Sequence, residues 1–149
     1  MNSARIGVVG LLLMTIEAAG GCDKKISDRD LVRIDAERAL EKARGSAGVL
    51  GVGGTEPAAW VDPRSPAKFA AGHIAGAINM PFATVEDDHE LLKHHATLIV
   101  YGEDYADFVA EAMAKKLLAL KHKDVLLLHG GLKAWTAAGH EVATGSGGS

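Results

Sequence analysis

The sequence is poor in cysteine and in aromatic residues. Its one cysteine, Cys22, among 149 residues excludes an internal disulfide, a cysteine-based zinc site and an iron–sulfur cluster. A cysteine enzyme built on this chain would therefore have to use Cys22 as its nucleophile. Aromatic residues make up 5% of the chain, whereas hydrophobic residues reach 48% and charged residues 23%. This balance excludes a disordered, fibrous or collagen-like protein.

The chain also lacks an excess of positive charge. Its formal net charge of −3 argues against a nucleic-acid binder that relies on bulk positive charge. A length of 149 residues corresponds to one domain, and such a domain can bury a core without disulfides or metals.

No apolar run near the N-terminus is long enough to cross a bilayer, which takes about 20 residues. The run from Ile6 to Ile16 follows Arg5 and precedes the small residues 18–21. This layout predicts a signal peptide over residues 1–21. The alternative is a buried N-terminal helix, which the glycines of the segment disfavour.

The segment Ala19-Gly20-Gly21-Cys22 resembles the lipobox of bacterial lipoproteins, although that motif usually has leucine where Ala19 stands. The resemblance implies that Cys22 carries fatty acyl chains, such as palmitate, and becomes the first residue of the mature protein. Residues 22–30 would then form a tether to the cell membrane or to the periplasmic face of the outer membrane. Ordinary secretion to a soluble periplasmic or extracellular form is the alternative.

The remaining sequence alternates predicted strands and helices, which indicates an α/β domain with a mostly parallel sheet. Strands are predicted at 31–34, 58–62, 77–80, 97–101 and 124–128. Helices are predicted at 36–43 after Asp35, at 66–71 after Ser65, from Thr84 or Asp87 to about His94, from Phe108 to Leu120, and at 132–138. A loop is expected over 45–57 and a flexible Gly/Ser tail over 143–149.

Several motifs in order resemble the rhodanese homology domain. They are Val61-Asp62-Pro63-Arg64-Ser65-Pro66, then Phe69, then Gly72-His73-Ile74-Ala75-Gly76-Ala77-Ile78-Asn79-Met80-Pro81, and finally Gly130-Gly131 with Ala134-Trp135 and Gly139. One departure is Ala75, where the family usually has proline. The resemblance implies a single rhodanese-like domain over residues 31–142, with a central, mostly parallel sheet and helices on both faces.

The motif residues also have a direct physical interpretation, which is structural. Asp62 ends a strand two residues before Arg64, so the two side chains are expected to form an ion pair. His73 is expected to be a hydrogen-bonded structural residue, and Trp135 a core residue. Gly72, Gly76, Gly130 and Gly131 stand where the chain must reverse, and glycine tolerates a positive φ there.

Active members of the family place a cysteine directly after the central strand, in a loop of the form Cys-x-x-Gly-x-Arg-Ser. Here the matching stretch is Gly102-Glu103-Asp104-Tyr105-Ala106-Asp107-Phe108, with Gly102 at the cysteine position and Asp107 at the arginine position. The resemblance therefore implies a vestigial active-site loop in an inactive sulfurtransferase homologue, with no catalytic residue and no cofactor. Without the thiol, no persulfide can form.

Three functional hypotheses follow. The first is a binding or regulatory module, whose acidic loop residues Glu103, Asp104 and Asp107 favour a basic protein partner. An equally simple interpretation of these carboxylates is that they cap the helix and keep the loop soluble. The second hypothesis is an enzyme with Asp104, Asp107 or His129 as acid or base.

The third hypothesis is a metal protein that uses the segment containing His89, His94 and His95. Because metal sites usually need three or four converging ligands, a solvated helix face is the stronger interpretation of this segment, and no metal is expected.

Overall fold

The computed structural model describes residues 25–45 and 58–146. The predicted signal peptide, Cys22 and nearly all of the loop predicted at 45–57 lie outside the described residues. In the described part of the chain, no helix is long and apolar enough to cross a membrane.

Five parallel strands form one sheet in the order β1-β5-β4-β2-β3. The strands are β1 (Val32–Ile34), β2 (Ala59–Asp62), β3 (Ile78–Asn79), β4 (Leu98–Val100) and β5 (Val125–Leu128). Strands β2, β4 and β5 are buried throughout, as expected for apolar strands covered on both faces. The prediction of a parallel α/β domain is confirmed, and β4 lies at the centre of the sheet.

The described residues also form five α-helices. They are α1 (Ala36–Gly45), α2 (Pro66–Ala71), α3 (Val85–Asp88), α4 (Phe108–Ala119) and α5 (Gly131–Ala137). Two predicted caps are confirmed, because the Asp35 carboxylate accepts the Arg38 N–H at 2.8 Å and the Ser65 hydroxyl accepts the Lys68 N–H at 3.4 Å.

The sheet separates two apolar clusters because alternate strand residues face opposite sides. On one side, α4 contributes Met113 and Leu117, which pack with Val61 and Val100. On the other side, α1 and α5 cover Trp60, Ile99 and Leu126. Helices therefore flank both faces, as the sequence predicts.

Most of the segment predicted as a helix ending near His94 is not α-helical. One α-helical turn, α3, lies between 3-10 helices at Phe82–Thr84 and His89–Leu92. Four acidic residues between 86 and 90 leave this segment few apolar anchors, and Val85 and Leu92 are its buried residues. The segment thus lacks the continuous apolar stripe that holds a longer helix against a sheet.

Three smaller predictions also need correction. Phe108 and Val109 fit the helical spacing of apolar residues, which predicts burial on the inner face of α4, but their side chains are exposed, and Ala110, Met113, Ala114 and Leu117 are the buried positions. Gly72 has an extended backbone with φ 172°. Ala143, expected to begin a flexible tail, exchanges two backbone hydrogen bonds with His73 at 2.9 and 2.8 Å.

Candidate functional site

A buried ion pair lies at the carboxyl end of β2. The Arg64 guanidinium donates to both Asp62 oxygens, with Nη2 2.6 Å from Oδ2 and Nε 2.9 Å from Oδ1. The side chains are 0% and 5% exposed for Asp62 and Arg64. Burial lowers the pKa of Arg64, but the Asp62 hydrogen bonds and charge outweigh that effect and hold the pKa above its usual value.

Arg64 also connects this pair to two more distant segments. Nη2 donates to the Gly72 carbonyl at 2.7 Å, and Nη1 donates to the Glu103 carboxylate at 3.2 Å. Glu103 receives a second cation, because Lys68 Nζ lies 3.3 Å from it. The Glu103 charge in the loop after β4 is therefore already paired within the protein.

The loop from Gly102 to Asp107 joins β4 to α4, and the Asp107 carboxylate lies inside it. Oδ2 accepts the Glu103 N–H at 2.6 Å, while Oδ1 accepts the N–H groups of Val109 at 2.9 Å and Ala110 at 3.1 Å. One side chain thus satisfies both the loop backbone and the N-terminus of α4.

Gly102 leaves room for this carboxylate. A Cβ atom at Gly102 would lie 2.8 Å from Cβ of Asp107 and closer still to its carboxylate. Real Cβ atoms are essentially never found so close to another heavy atom. Asp107 therefore occupies the space that any larger residue at position 102 would need.

The turn at the start of α5 packs directly against the loop from Gly102 to Asp107. Gly130 and Gly131 have φ values of +81° and +53°, and a Cβ at Gly131 would overlap the Gly102 carbonyl. The close approach lets the Leu132 N–H donate to the Gly102 carbonyl at 2.9 Å and the Lys133 N–H donate to the Glu103 carbonyl at 3.0 Å. The prediction that Gly130 and Gly131 reverse the chain is confirmed.

A cleft of about 550 Å³ opens beside the loop. Its polar lining combines the cations Arg64, Lys68 and Lys133 with the carboxylates of Glu103 and Asp104. Asp104 forms no ion pair among the described residues, and its Oδ1 accepts the Ala106 N–H at 2.9 Å. The loop is less negative toward solvent than its sequence indicates, since Glu103 is paired and Asp107 points inward.

The chain matches the family model of the rhodanese-like domain over residues 51–138. The chain belongs to the rhodanese-like domain family. Solved structures agree on this fold. The crystal structure of a thiosulfate sulfurtransferase from Pseudomonas aeruginosa is 26% identical, with a TM-score of 0.61 over 77% of this chain and 20% of that one.

Two further structures resemble the whole domain. The rhodanese-like domain of an Anabaena sp. protein is 26% identical, with a TM-score of 0.56 over 75% of this chain and 78% of that chain. A rhodanese-related protein from Thermoplasma volcanium is 20% identical, with a TM-score of 0.58 over 75% and 97%. No curated protein matches the sequence.

The remaining family-motif residues of this rhodanese-like domain contribute to packing, hydrogen bonding and a turn. His73 is buried, stacks on Phe69 at 3.8 Å between centroids and pairs through Nδ1 with the Phe69 carbonyl at 2.9 Å. Trp135 packs edge-on against Trp60 at 5.1 Å and donates to the Glu141 carbonyl at 3.0 Å. Gly76, with φ +78°, lies in the turn before β3.

The histidines singled out from the sequence do not converge on the loop. His129 is exposed at the end of β5, where its ring contacts Tyr105 edge-on at 5.0 Å. His94 is exposed as well, whereas His89 lies against His122 from the end of α4. Burial, followed by the proximity of His89, lowers the pKa of His122. Among the described residues, no three metal-ligating side chains form a group that could hold an ion.

Sequence reasoning missed two residues that support the site. The Tyr101 hydroxyl accepts the buried Ile74 N–H at 3.1 Å, and its ring lies 5.8 Å from the Arg64 guanidinium carbon. Burial, then the nearby Asp62 charge, raises the pKa of Tyr101. Asn79 donates to the carbonyls of Asp62 and Arg64 at 3.0 and 2.9 Å. In the sequence, the signal for each residue was a polar side chain at the carboxyl end of a predicted strand.

Proposed function

We propose that the protein is a catalytically silent rhodanese-like domain that serves as a binding or regulatory module at the bacterial envelope. The observation that carries this proposal is the position of Asp107. Its carboxylate lies where a side chain at position 102 would be, and the resemblance assigns that position to the nucleophilic cysteine. Cys22, the sole cysteine, lies 80 residues upstream.

The same carboxylate explains why the loop is a poor anion site. Anion sites at helix N-termini use backbone N–H groups and the positive end of the helix dipole. Here the N–H groups of Glu103, Val109 and Ala110 already donate to Asp107. A thiosulfate or phosphate would have to displace a negative side chain that is covalently part of the protein.

An enzyme that uses acid–base chemistry instead of the cysteine is supported less well. That function needs a base and an acid that meet in a closed site. Both oxygens of Asp107 are engaged by backbone N–H groups, and the ring of His129 faces Tyr105. Within the described ranges, no hydrogen bond joins His129 to Asp104 or to Asp107.

The recognition surface we propose is the start of α4. Phe108 is 79% exposed and Tyr105 59%, and Val109 beside them is exposed as well. Large apolar side chains grouped on a surface are typical of contact with another protein. With Asp104 in the same loop, the matching partner segment combines an apolar anchor with a lysine or arginine.

We expect no transfer of sulfur from thiosulfate to cyanide above the buffer blank. The reaction needs a thiol at the site, and the loop has none. A thiocyanate assay on the wild type and on Cys22→Ser checks this. Turnover that persists in Cys22→Ser would contradict the proposal and favour a sulfurtransferase with another mechanism.

Sulfate should not bind the wild-type loop, whereas the double variant Asp104→Lys with Asp107→Arg should bind it weakly. The substitutions remove the internal carboxylate and add two cations beside the helix N-terminus. An NMR titration of the backbone amides of Glu103, Val109 and Ala110 measures this. Sub-millimolar sulfate binding by the wild type would show that the loop still accepts anions.

A peptide that carries lysine and an aromatic residue is the matched probe for the proposed partner. It should shift the backbone amide resonances of Tyr105 and Val109 in the wild type, and less so in Phe108→Ala or in the double charge variant. Added salt should weaken the effect, since charges screen over about 8 Å at physiological ionic strength. Equal shifts in all three proteins would contradict a docking surface at α4.

The proposal of export and lipid anchoring rests on the sequence of the N-terminal segment. If Cys22 is diacylated, the mature protein should partition with membranes, because two acyl chains anchor stably and one is marginal. Mass spectrometry of the purified protein should find a lipid-modified Cys22 as the first residue. A mature N-terminus elsewhere, with Cys22 unmodified or removed, would leave plain secretion.

A further inference from the structure

Two imidazole rings meet at the end of the sheet opposite the carboxyl ends of the strands. Nδ1 of His89 lies 3.3 Å from Nε2 of His122, and the rings are nearly perpendicular, at 87°. Zn–N bonds of 2.0–2.1 Å in a tetrahedral site place two ligand nitrogens about 3.3 Å apart. The same separation allows one hydrogen bond between the two rings, which a bound ion would replace.

The two rings belong to elements that are fixed to each other. The backbone N–H of His89 donates to the Val85 carbonyl as α3 ends. His122 follows α4, and its N–H donates to the Leu117 carbonyl at 3.1 Å, after Lys121 takes a left-handed turn at φ 70°. An ion pair between Glu86 and Lys116 joins α3 to α4. The backbones that carry the two rings are thus held at a fixed separation by the scaffold.

The two histidines open onto a cavity of about 420 Å³. Glu90 and His95 line the same cavity, and Glu90 Oε1 lies 4.0 Å from Nδ1 of His89. Its other oxygen pairs with Lys93 at 2.8 Å. Two further lysines line this cavity, Lys121 and Lys123. The cavity therefore has room for an ion with its water ligands, and its lining sets one carboxylate, already paired with Lys93, against three lysines.

We propose that His89 and His122 together bind one divalent ion of the copper–zinc class, with water completing its coordination. Imidazole nitrogen is a preferred ligand for these ions, whereas Mg²⁺ and Ca²⁺ prefer oxygen. The protein supplies two ligands to the ion, in keeping with the lack of any three-ligand group among the described residues. The site is therefore an exchangeable one, distinct from a structural zinc centre.

Zinc chloride titrated into the untagged full chain, in a Cys22→Ser background, tests the site by calorimetry. We expect one ion per chain. His89→Gln and His122→Gln should each weaken binding by at least about 10-fold, since even the loss of an outer-shell partner costs 10- to 100-fold. His94→Gln is the matched control, because His94 lies in the same segment and is exposed, and it should leave the affinity unchanged.

Electron paramagnetic resonance of the Cu²⁺ form gives a readout on the unmodified site. The spectrum should show two imidazole nitrogens bound to copper in the parent chain and one in either glutamine variant. The absence of stoichiometric zinc uptake, equal affinity in the parent chain and both glutamine variants, or an equal loss in His94→Gln would overturn the proposal.

Discussion

Replacing Arg64 by methionine should lower the free energy of unfolding by about 3–5 kcal/mol, which is the usual cost of removing one partner of a buried ion pair. The substitution keeps much of the apolar volume but leaves the fully buried Asp62 carboxylate without its cation. It also removes the hydrogen bonds to Gly72 and Glu103 that join three segments. Chemical denaturation measures the loss, which is a large part of the stability of a typical domain.

A matched control is Arg38→Met, which removes the exposed ion pair with Glu41. Those side chains are 58% and 70% exposed, so the cost should stay below about 1 kcal/mol. The double variant Asp62→Leu with Arg64→Met should lose less than the sum of the two single losses, because no unpaired charge stays buried. A loss at Arg64 no larger than that at Arg38 would contradict a structural role for the pair.

The fold could be predicted from the sequence because local signals and burial agree. The apolar runs that became β4 and β5 match fully buried parallel strands, and the caps Asp35 and Ser65 begin the predicted helices. The Asp62–Arg64 pair could be predicted as well, since its members lie two positions apart in the chain. The contacts of Arg64 with Gly72 and Glu103 could not, because they depend on how the loops meet in space.

The errors occurred where tertiary position overrides periodicity. Phe108 fits the helical spacing of apolar residues, but it is the first residue of α4 and lies on the loop side, where it is 79% exposed. Ala143 lies in a stretch whose composition is typical of a flexible tail. Its backbone nevertheless pairs with His73, and no side-chain pattern encodes that pairing.

The acidic loop shows most clearly the limit of reading charge from sequence. Glu103, Asp104 and Asp107 form one negative patch in the sequence, but they have three different environments in the structure. Glu103 is neutralised by Arg64 and Lys68, and Asp107 turns inward to cap α4. Of the three, only Asp104 neither pairs with a cation of the described residues nor caps α4. Any preference of the loop for a cationic partner therefore depends mainly on this residue.

Gly102→Ala should destabilise the domain by about 1–3 kcal/mol, the usual cost of forcing an extra carbon into a filled space. The added Cβ would overlap the Asp107 side chain, which can move only by giving up its hydrogen bonds to the loop and to α4. Asp107→Gly removes the three atoms nearest to the added Cβ, and glycine costs an N-cap only a few tenths of a kcal/mol. Gly102→Ala should therefore cost much less in that background.

The corresponding cysteine variants test whether the space filled by Asp107 also prevents sulfur transfer. Gly102→Cys alone should give little or no sulfur transfer, because the thiol competes for space with Asp107 and the neighbouring carboxylates raise its pKa. Gly102→Cys with Asp107→Gly should react faster with thiosulfate, since the N–H groups of Glu103, Val109 and Ala110 become available to an anion. Gly45→Ala, where no described residue lies within 4 Å of the added carbon, is the stability control. An equal cost of Gly102→Ala in both backgrounds would show that Asp107 does not fill the site, and would contradict the proposal of a catalytically silent loop.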